Sequence, residues 1–120
     1  MHEIAIADSI LKAVRGEMTR YASARPTRVI VRIGELTAID PDALRFGFEA
    51  LTQDTDYAGL QLEIECCPRR HRCIDCGAEF TVTGFDFHCP QCGGEKNEFV
   101  SGDQLELASL EMDQDESSAA

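Results

Sequence analysis

Two cysteine pairs, Cys73-Ile-Asp-Cys76 and Cys89-Pro-Gln-Cys92, stand twelve residues apart, and this spacing constrains the chain more than any other feature. A two-residue gap lets both thiolates of a pair reach one ion, and two such pairs supply a closed tetrahedron of sulfur. Gly77 and Gly93 follow the second cysteine of each pair. Both can take φ > 0, so that the chain turns beneath the metal and aims N–H groups at sulfur. Thr83-Gly84 lies between Phe80-Thr81-Val82 and Phe85-Asp86-Phe87 and predicts a hairpin between the knuckles. Four thiolates suit Zn²⁺, with iron as the rival. Rubredoxin-like sites also use Cys-Pro-x-Cys-Gly, but the usual aromatic shielding of iron is not expected here. A redox reading needs one pair, not two at this spacing. We therefore expect structural zinc on Cys73, Cys76, Cys89 and Cys92. The surrounding insert, residues 68–102, is too short for a core of its own, so the metal stabilises its fold directly.

The rest of the composition narrows the function. A chain of 120 residues makes one small domain plus a metal-stapled module. Twenty-two acidic residues against eleven basic ones leave a net charge of -11. That balance argues against nucleic acid, whose phosphates need clustered basic residues, and against an anionic membrane surface. No apolar run approaches the ~18 residues of a spanning helix. The start lacks the basic-then-apolar layout of a signal peptide, so a cytoplasmic location is expected. Thiols stay reduced there, and the six cysteines read as ligands rather than disulfides. There is no phosphate-binding loop, no GxGxxG and no GxSxG elbow. Four cysteines close the zinc tetrahedron and leave no position for activated water. The chain does not read as an enzyme.

Periodicity supplies the scaffold. Ile4, Ala7, Leu11, Val14, Met18 and Tyr21, widened by Ile10, predict an amphipathic helix over 3–21. Val29, Val31 and Ile33 share one face of a strand over 28–36. Asp40 is placed as the N-cap of a second helix, with Pro41 in its first turn and Ala43, Leu44, Gly47, Phe48 and Leu51 as its buried stripe. Leu60, Leu62, Ile64 and Cys66 alternate along a second strand. Leu105 and Leu107 resume that pattern, while Leu110 and Met112 fall one residue out, so a bulge is expected near Ala108-Ser109. The fold class is α+β: a three-stranded sheet with two helices on one face, plus an inserted zinc-ribbon module. Residues 1–67 and 103–112 make the core, 68–102 the ribbon, and 113–120 a disordered acidic tail.

Several other residues receive bland readings. Cys66 alternates into the core as an ordinary buried thiol. Cys67 and His71 could contact a second metal, but a polar hinge before the first knuckle is the preferred reading. His88 is a solvent-exposed hairpin residue beside a ligand. Arg69, Arg70 and Arg72 form a short basic run, offset by Asp75, Glu79, Asp86, Glu95 and Glu98.

Met1-His2-Glu3 has a specific chemistry. The terminal amine, the backbone nitrogen of His2 and its imidazole can close adjacent chelate rings around one ion, a planar nitrogen set suited to Ni²⁺ or Cu²⁺. Together with the amphipathic first helix, Ile33-Gly34-Glu35-Leu36, the paired knuckles and Ser101-Gly102 before the last strand, it resembles the HypA/HybF family. These are nickel-delivery proteins for NiFe-hydrogenase maturation, and the resemblance covers Met1 to about Met112. It implies His2 as the nickel ligand, with Glu3 as contributor or neighbour, and Cys73, Cys76, Cys89 and Cys92 as structural zinc ligands. It also implies nickel as transient cargo rather than a resident cofactor. The implied partners are the nickel-handling GTPase HypB and the hydrogenase large-subunit precursor. Asp40 falls where some members place a carboxylate near nickel, although its capping role explains it equally. Some members carry a histidine after each CxxC; here Gly77 and Gly93 stand in those positions, against a histidine-based switch. The alternative function is a zinc-ribbon interaction or regulatory module without specific nickel binding.

Overall fold

The computed structural model describes residues 3–114, so Met1, His2 and the end of the acidic tail lie outside the described residues. The chain runs α1 (Glu3–Met18), β1 (Ala24–Gly34), a short 3-10 turn (Glu35–Thr37), α2 (Pro41–Thr52), β2 (Gln61–Cys67), β3 (Arg70–Cys73), β4 (Glu79–Thr81), β5 (Asn97–Ser101) and β6 (Leu105–Gln114). β1 is the middle strand of a three-stranded sheet ordered β2-β1-β6. A second sheet of three strands, β4-β3-β5, is built within the cysteine-rich segment. Two helices, a three-stranded sheet and a ribbon-like module are thus the α+β arrangement expected. No helix among the described residues is long and apolar enough to cross a membrane.

α1 buries Ile6, Ala7, Ile10, Leu11 and Val14. The stripe is rotated from the expected one: Ile4 is 56 % exposed and Tyr21 lies beyond the helix end, 46 % exposed. Counting from Ile4 and counting from Ile6 both satisfy a helical period, and in the fold Ile6 is the one enclosed while Ile4 lies beside Gly47 of α2 yet stays largely open to solvent. α2 starts as its sequence dictates. Asp40 Oδ1 accepts hydrogen bonds from the backbone of Asp42 at 3.0 Å and Ala43 at 3.4 Å, while Pro41 occupies the first turn, where no N–H is needed. Its buried residues are Leu44, Gly47, Phe48 and Thr52.

β1 buries Val29, Val31 and Ile33. On its other face Arg28 pairs with Glu63 of β2, at 3.5 Å, and with Glu111 of β6. These are exposed pairs and set cross-strand alignment more than stability. Along β6, Leu105 is 47 % exposed rather than inward as expected. Leu107 and Ala108 are both half-buried, and Leu110 and Met112 then alternate inward, so the phase changes near the position expected but the strand's first residue stays outside. The strand continues through Gln114, past the end of the apolar pattern. In β2 the alternation fails at its end. Glu65 and Cys66 are both exposed and Cys67 turns inward, so Cys66 is not the buried thiol expected.

The chain divides into two compact units, one of residues 1–31, 39–65 and 106–120, the other of 32–38 and 66–105. The second unit recruits the segment after β1 through specific bonds. Gly34 N–H donates to Gln104 O at 2.8 Å, Leu36 N–H to Gly102 O at 2.8 Å, and the Glu35 carboxylate accepts from Arg69 N–H at 3.1 Å. Gly34 and Gly102 permit this approach. A Cβ on Gly34 would lie 2.1 Å from the Gly102 carbonyl oxygen, an overlap with backbone that no rotamer can relieve. Gly34→Ala should therefore destabilise the chain by about 2–3 kcal/mol. Gly16→Ala, in α1 with nothing within 4 Å of the added methyl, should instead stabilise it by about 1 kcal/mol. Urea unfolding of the two variants beside the parent checks both signs.

Candidate metal centre

The two knuckles are cut from one pattern. In the first, Gly77 N–H returns to Cys73 O at 2.9 Å; in the second, Gly93 N–H returns to Cys89 O at 2.8 Å. Gly77 and Gly93 have φ of 78° and 74°, the left-handed backbone that their position after CxxC led us to expect. Each knuckle is closed by a second bond, Cys73 N–H to Ala78 O at 2.8 Å and Cys89 N–H to Gly94 O at 3.0 Å. Ile74 N–H then joins the first knuckle to the strand leaving the second, donating to Lys96 O at 2.9 Å.

These turns bring together the four cysteines expected from the spacing. Ligand atoms of Cys73, Cys76, Cys89 and Cys92 all lie within 4.8 Å of one another, and no other such group of metal-ligating side chains occurs among the described residues. Cys73 Sγ is 3.5 Å from Cys92 Sγ, and Cys76 Sγ is 3.6 Å from Cys89 Sγ. Four sulfurs at ~2.3 Å from one zinc would stand about 3.8 Å apart, so the donor set fits a tetrahedral ion with little movement. Cys73 and Cys89 are buried, at 0 % and 3 % exposure, and pack with Phe80 and Val82, with Phe87 and Ala78 against them. Aromatic rings thus do stand beside the sulfurs, contrary to the expectation that such shielding was missing. The sequence reading spaced those phenylalanines along a hairpin and did not see that β3 gathers them.

The sulfurs differ electrostatically. The Cys89 thiol is held down to about 7, first by the Cys92 N–H and then by that of Gln91 pointing at its sulfur. For Cys92 the Gly94 N–H, 3.4 Å away, pulls downward. The Cys73 sulfur, burial and the Cys76 and Cys89 sulfurs outweigh it and push the thiol up to about 12. Four thiols cannot all ionise side by side without a cation, which is the charge logic of a metal site.

The expected hairpin is replaced by a different pairing. Thr83 and Asp86 make only an isolated bridge around Gly84-Phe85, and β4 pairs instead with β3, His71 opposite Phe80. β5, on the other side of β3, was not anticipated. The arginines of the basic run are spent within this sheet: Arg70 donates to Thr81 Oγ1 at 3.1 Å and Arg72 pairs with Glu98 at 3.1 Å. His71 is not in a hinge but in β3, buried at 5 % exposure. Periodicity could not find it, because a four-residue strand of Arg-His-Arg-Cys carries no apolar alternation. His88 is exposed as expected, its ring held between Asp86 Oδ1 at 3.1 Å and Glu95 Oε1 at 3.2 Å.

In the first compact unit, Glu3 and Asp40 meet: Glu3 Oε2 accepts the Asp40 backbone N–H at 3.0 Å. Thirty-seven residues apart in sequence, they sit together because α1 packs against α2 and each begins its helix there. His2 lies outside the described residues.

The family described as "HypA: Hydrogenase/urease nickel incorporation, metallochaperone" matches residues 1–112. A "Hydrogenase maturation factor HypA" of Geotalea uraniireducens is 40% identical over 114 residues, covering 94% of this chain and 100% of that protein. One of Desulfosudis oleivorans is 38% identical over 113 residues, covering 93% and 98%. The solution structure of the Ni metallochaperone HypA from Helicobacter pylori is similar with a TM-score of 0.62 and 25% identity, covering 93% of this chain and 97% of that one.

A metal held by the four sulfurs gives a prediction: stripping it with a chelator under reducing conditions should raise the alkylation of Cys73, Cys76, Cys89 and Cys92 together, read by peptide mapping. Cysteines that stay equally protected after stripping would refute the shared site.

Proposed function

The chain belongs to the HypA family of hydrogenase maturation factors, and from that premise we propose that it is a nickel metallochaperone that takes Ni²⁺ at His2 and Glu3 and keeps Zn²⁺ in its four-cysteine site. The family match across residues 1–112 carries the reading. The Glu3–Asp40 contact supports it independently, since it gathers two acidic residues where the chain's one Met-His-Glu sequence begins α1. The imidazole of His2 with adjoining backbone nitrogen offers the nitrogen-rich donors that Ni²⁺ favours. Asp40 spends Oδ1 on capping α2, so we assign it to positioning Glu3 rather than to the ion.

Zinc in the Cys73–Cys76–Cys89–Cys92 site would supply positive charge to four crowded thiolates and cross-link the knuckles. The residues act by holding and releasing cargo, not by turnover. A carrier must bind nickel tightly enough to collect it and openly enough to pass it on, which a site built on few protein ligands allows. Delivery places the chain within the hydrogenase maturation machinery, with HypB as the GTPase partner and the hydrogenase large-subunit precursor as recipient.

Metal analysis of untagged protein after nickel loading and removal of excess, beside His2→Ala, tests the proposal. The parent should carry about one zinc and about one nickel per chain, and the variant about one zinc with nickel lost. Iron in place of zinc would refute the zinc assignment. Equal nickel in both proteins would refute His2 as ligand. Zinc without nickel in the parent would favour an interaction module instead.

A further inference from the structure

One buried polar cluster beside the cysteines has no part in metal ligation. His71 is surrounded by Phe80, Phe87 and Phe99, with ring centroids at 6.4, 5.6 and 5.8 Å. Arg69 Nε–H donates to its Nε2 at 2.8 Å, while the guanidinium lies over the Phe87 ring at 4.9 Å. A guanidinium has only donors, so Nε2 accepts and the imidazole proton sits on Nδ1. That proton is directed at Asn97 Oδ1, 2.6 Å away. Asn97 completes the relay with its amide, donating to Phe87 O at 2.8 Å and Glu95 O at 3.2 Å.

The sequence positions of these groups matter. His71 lies two residues before Cys73, Phe87 two before Cys89, and Glu95 three after Cys92. The relay therefore touches the strand entering the first knuckle and the segments entering and leaving the second. We propose that His71 and Asn97 form a positioning clamp for the metal centre, which holds the two knuckles in register by hydrogen bonds alone and so slows escape of the ion. The clamp rests on the metal reading of the four cysteines and extends it to residues that touch no metal. A ligand set already gathered binds with less ordering cost, and an ion leaving it gains less freedom for its ligands. Breaking either half strands a buried polar group: without His71, the Arg69 Nε–H and Asn97 oxygen both lose their partner.

The test uses the full zinc-loaded chain and the rate at which a chelating dye captures the metal. His71→Phe keeps an aromatic ring among the three phenylalanines and removes both hydrogen bonds; Asn97→Ala removes the far side of the relay. Each should speed zinc release roughly tenfold, the equivalent of one buried hydrogen bond. The double variant should release no faster than the faster single variant, because both changes break one device. His71→Asn, which can place its Nδ2–H where the imidazole Nδ1–H was but offers Arg69 no acceptor, should release more slowly than His71→Phe while remaining faster than the parent. Co²⁺ substituted for zinc reports tetrahedral sulfur coordination by its absorption and shows that the variants still assemble the site. Release at the parental rate in both single variants, effects that multiply in the double variant, or no rescue by His71→Asn would overturn the clamp. A parent chain that takes up neither zinc nor cobalt would overturn the metal reading itself.

Discussion

Four sulfurs drawn within 4.8 Å of one another are the constraint around which the second compact unit is organised. Its strands are three to five residues long, and its largest buried group is two cysteines with one phenylalanine and one valine. So little apolar burial does not offset the conformational entropy of ordering some forty residues. A cross-link must contribute, and a metal held by both knuckles is such a link. The knuckles cooperate in it through backbone bonds that are already made: two left-handed glycines, two closing turns and the Ile74–Lys96 bond. The uneven thiols, one held near 7 and one driven to about 12, follow from where a sulfur meets backbone N–H groups and where it meets other sulfurs.

The first unit meets a different requirement. It has a conventional core from α1, β1 and α2, with Val14, Val29 and Leu44 all fully buried, and needs no metal to hold it. α1 docks on α2, and the Glu3 carboxylate accepts the Asp40 backbone N–H there. Under the proposed function, a four-sulfur site leaves no open coordination position and so suits a structural rather than a transferring metal.

Much of this was legible beforehand. The α2 start at Asp40-Pro41, the inward face of β1 and the four metal-ligating cysteines all follow from local rules, and the structure places them as expected. The phase change in β6 was visible because two apolar pairs on opposite parities cannot both face inward in a regular strand. Other features were illegible for identifiable reasons. Ile4 and Ile6 both satisfy a helical stripe, so which one is buried depends on tertiary packing. Cys66 continues a pattern on paper but sits where the strand ends and the alternation slips. β3, Arg-His-Arg-Cys, has no periodic signal at all, and its pairing with Phe80 and Phe99 turns an unremarkable histidine into a buried hub.

By itself, then, the sequence determined whatever depends on residues close together in the chain: two-residue cysteine spacing, glycines where the backbone must turn left-handed, a capping aspartate before a proline, alternation along β1. These are local because bond geometry and short-range hydrogen bonds decide them. Only the tertiary structure decided which distant groups meet: Glu3 with the Asp40 amide, Gly34 against Gly102, and His71 between Arg69 and Asn97. No local preference encodes such meetings. They arise when strands pair and helices dock, where close packing admits one partner for each buried polar group and excludes the rest.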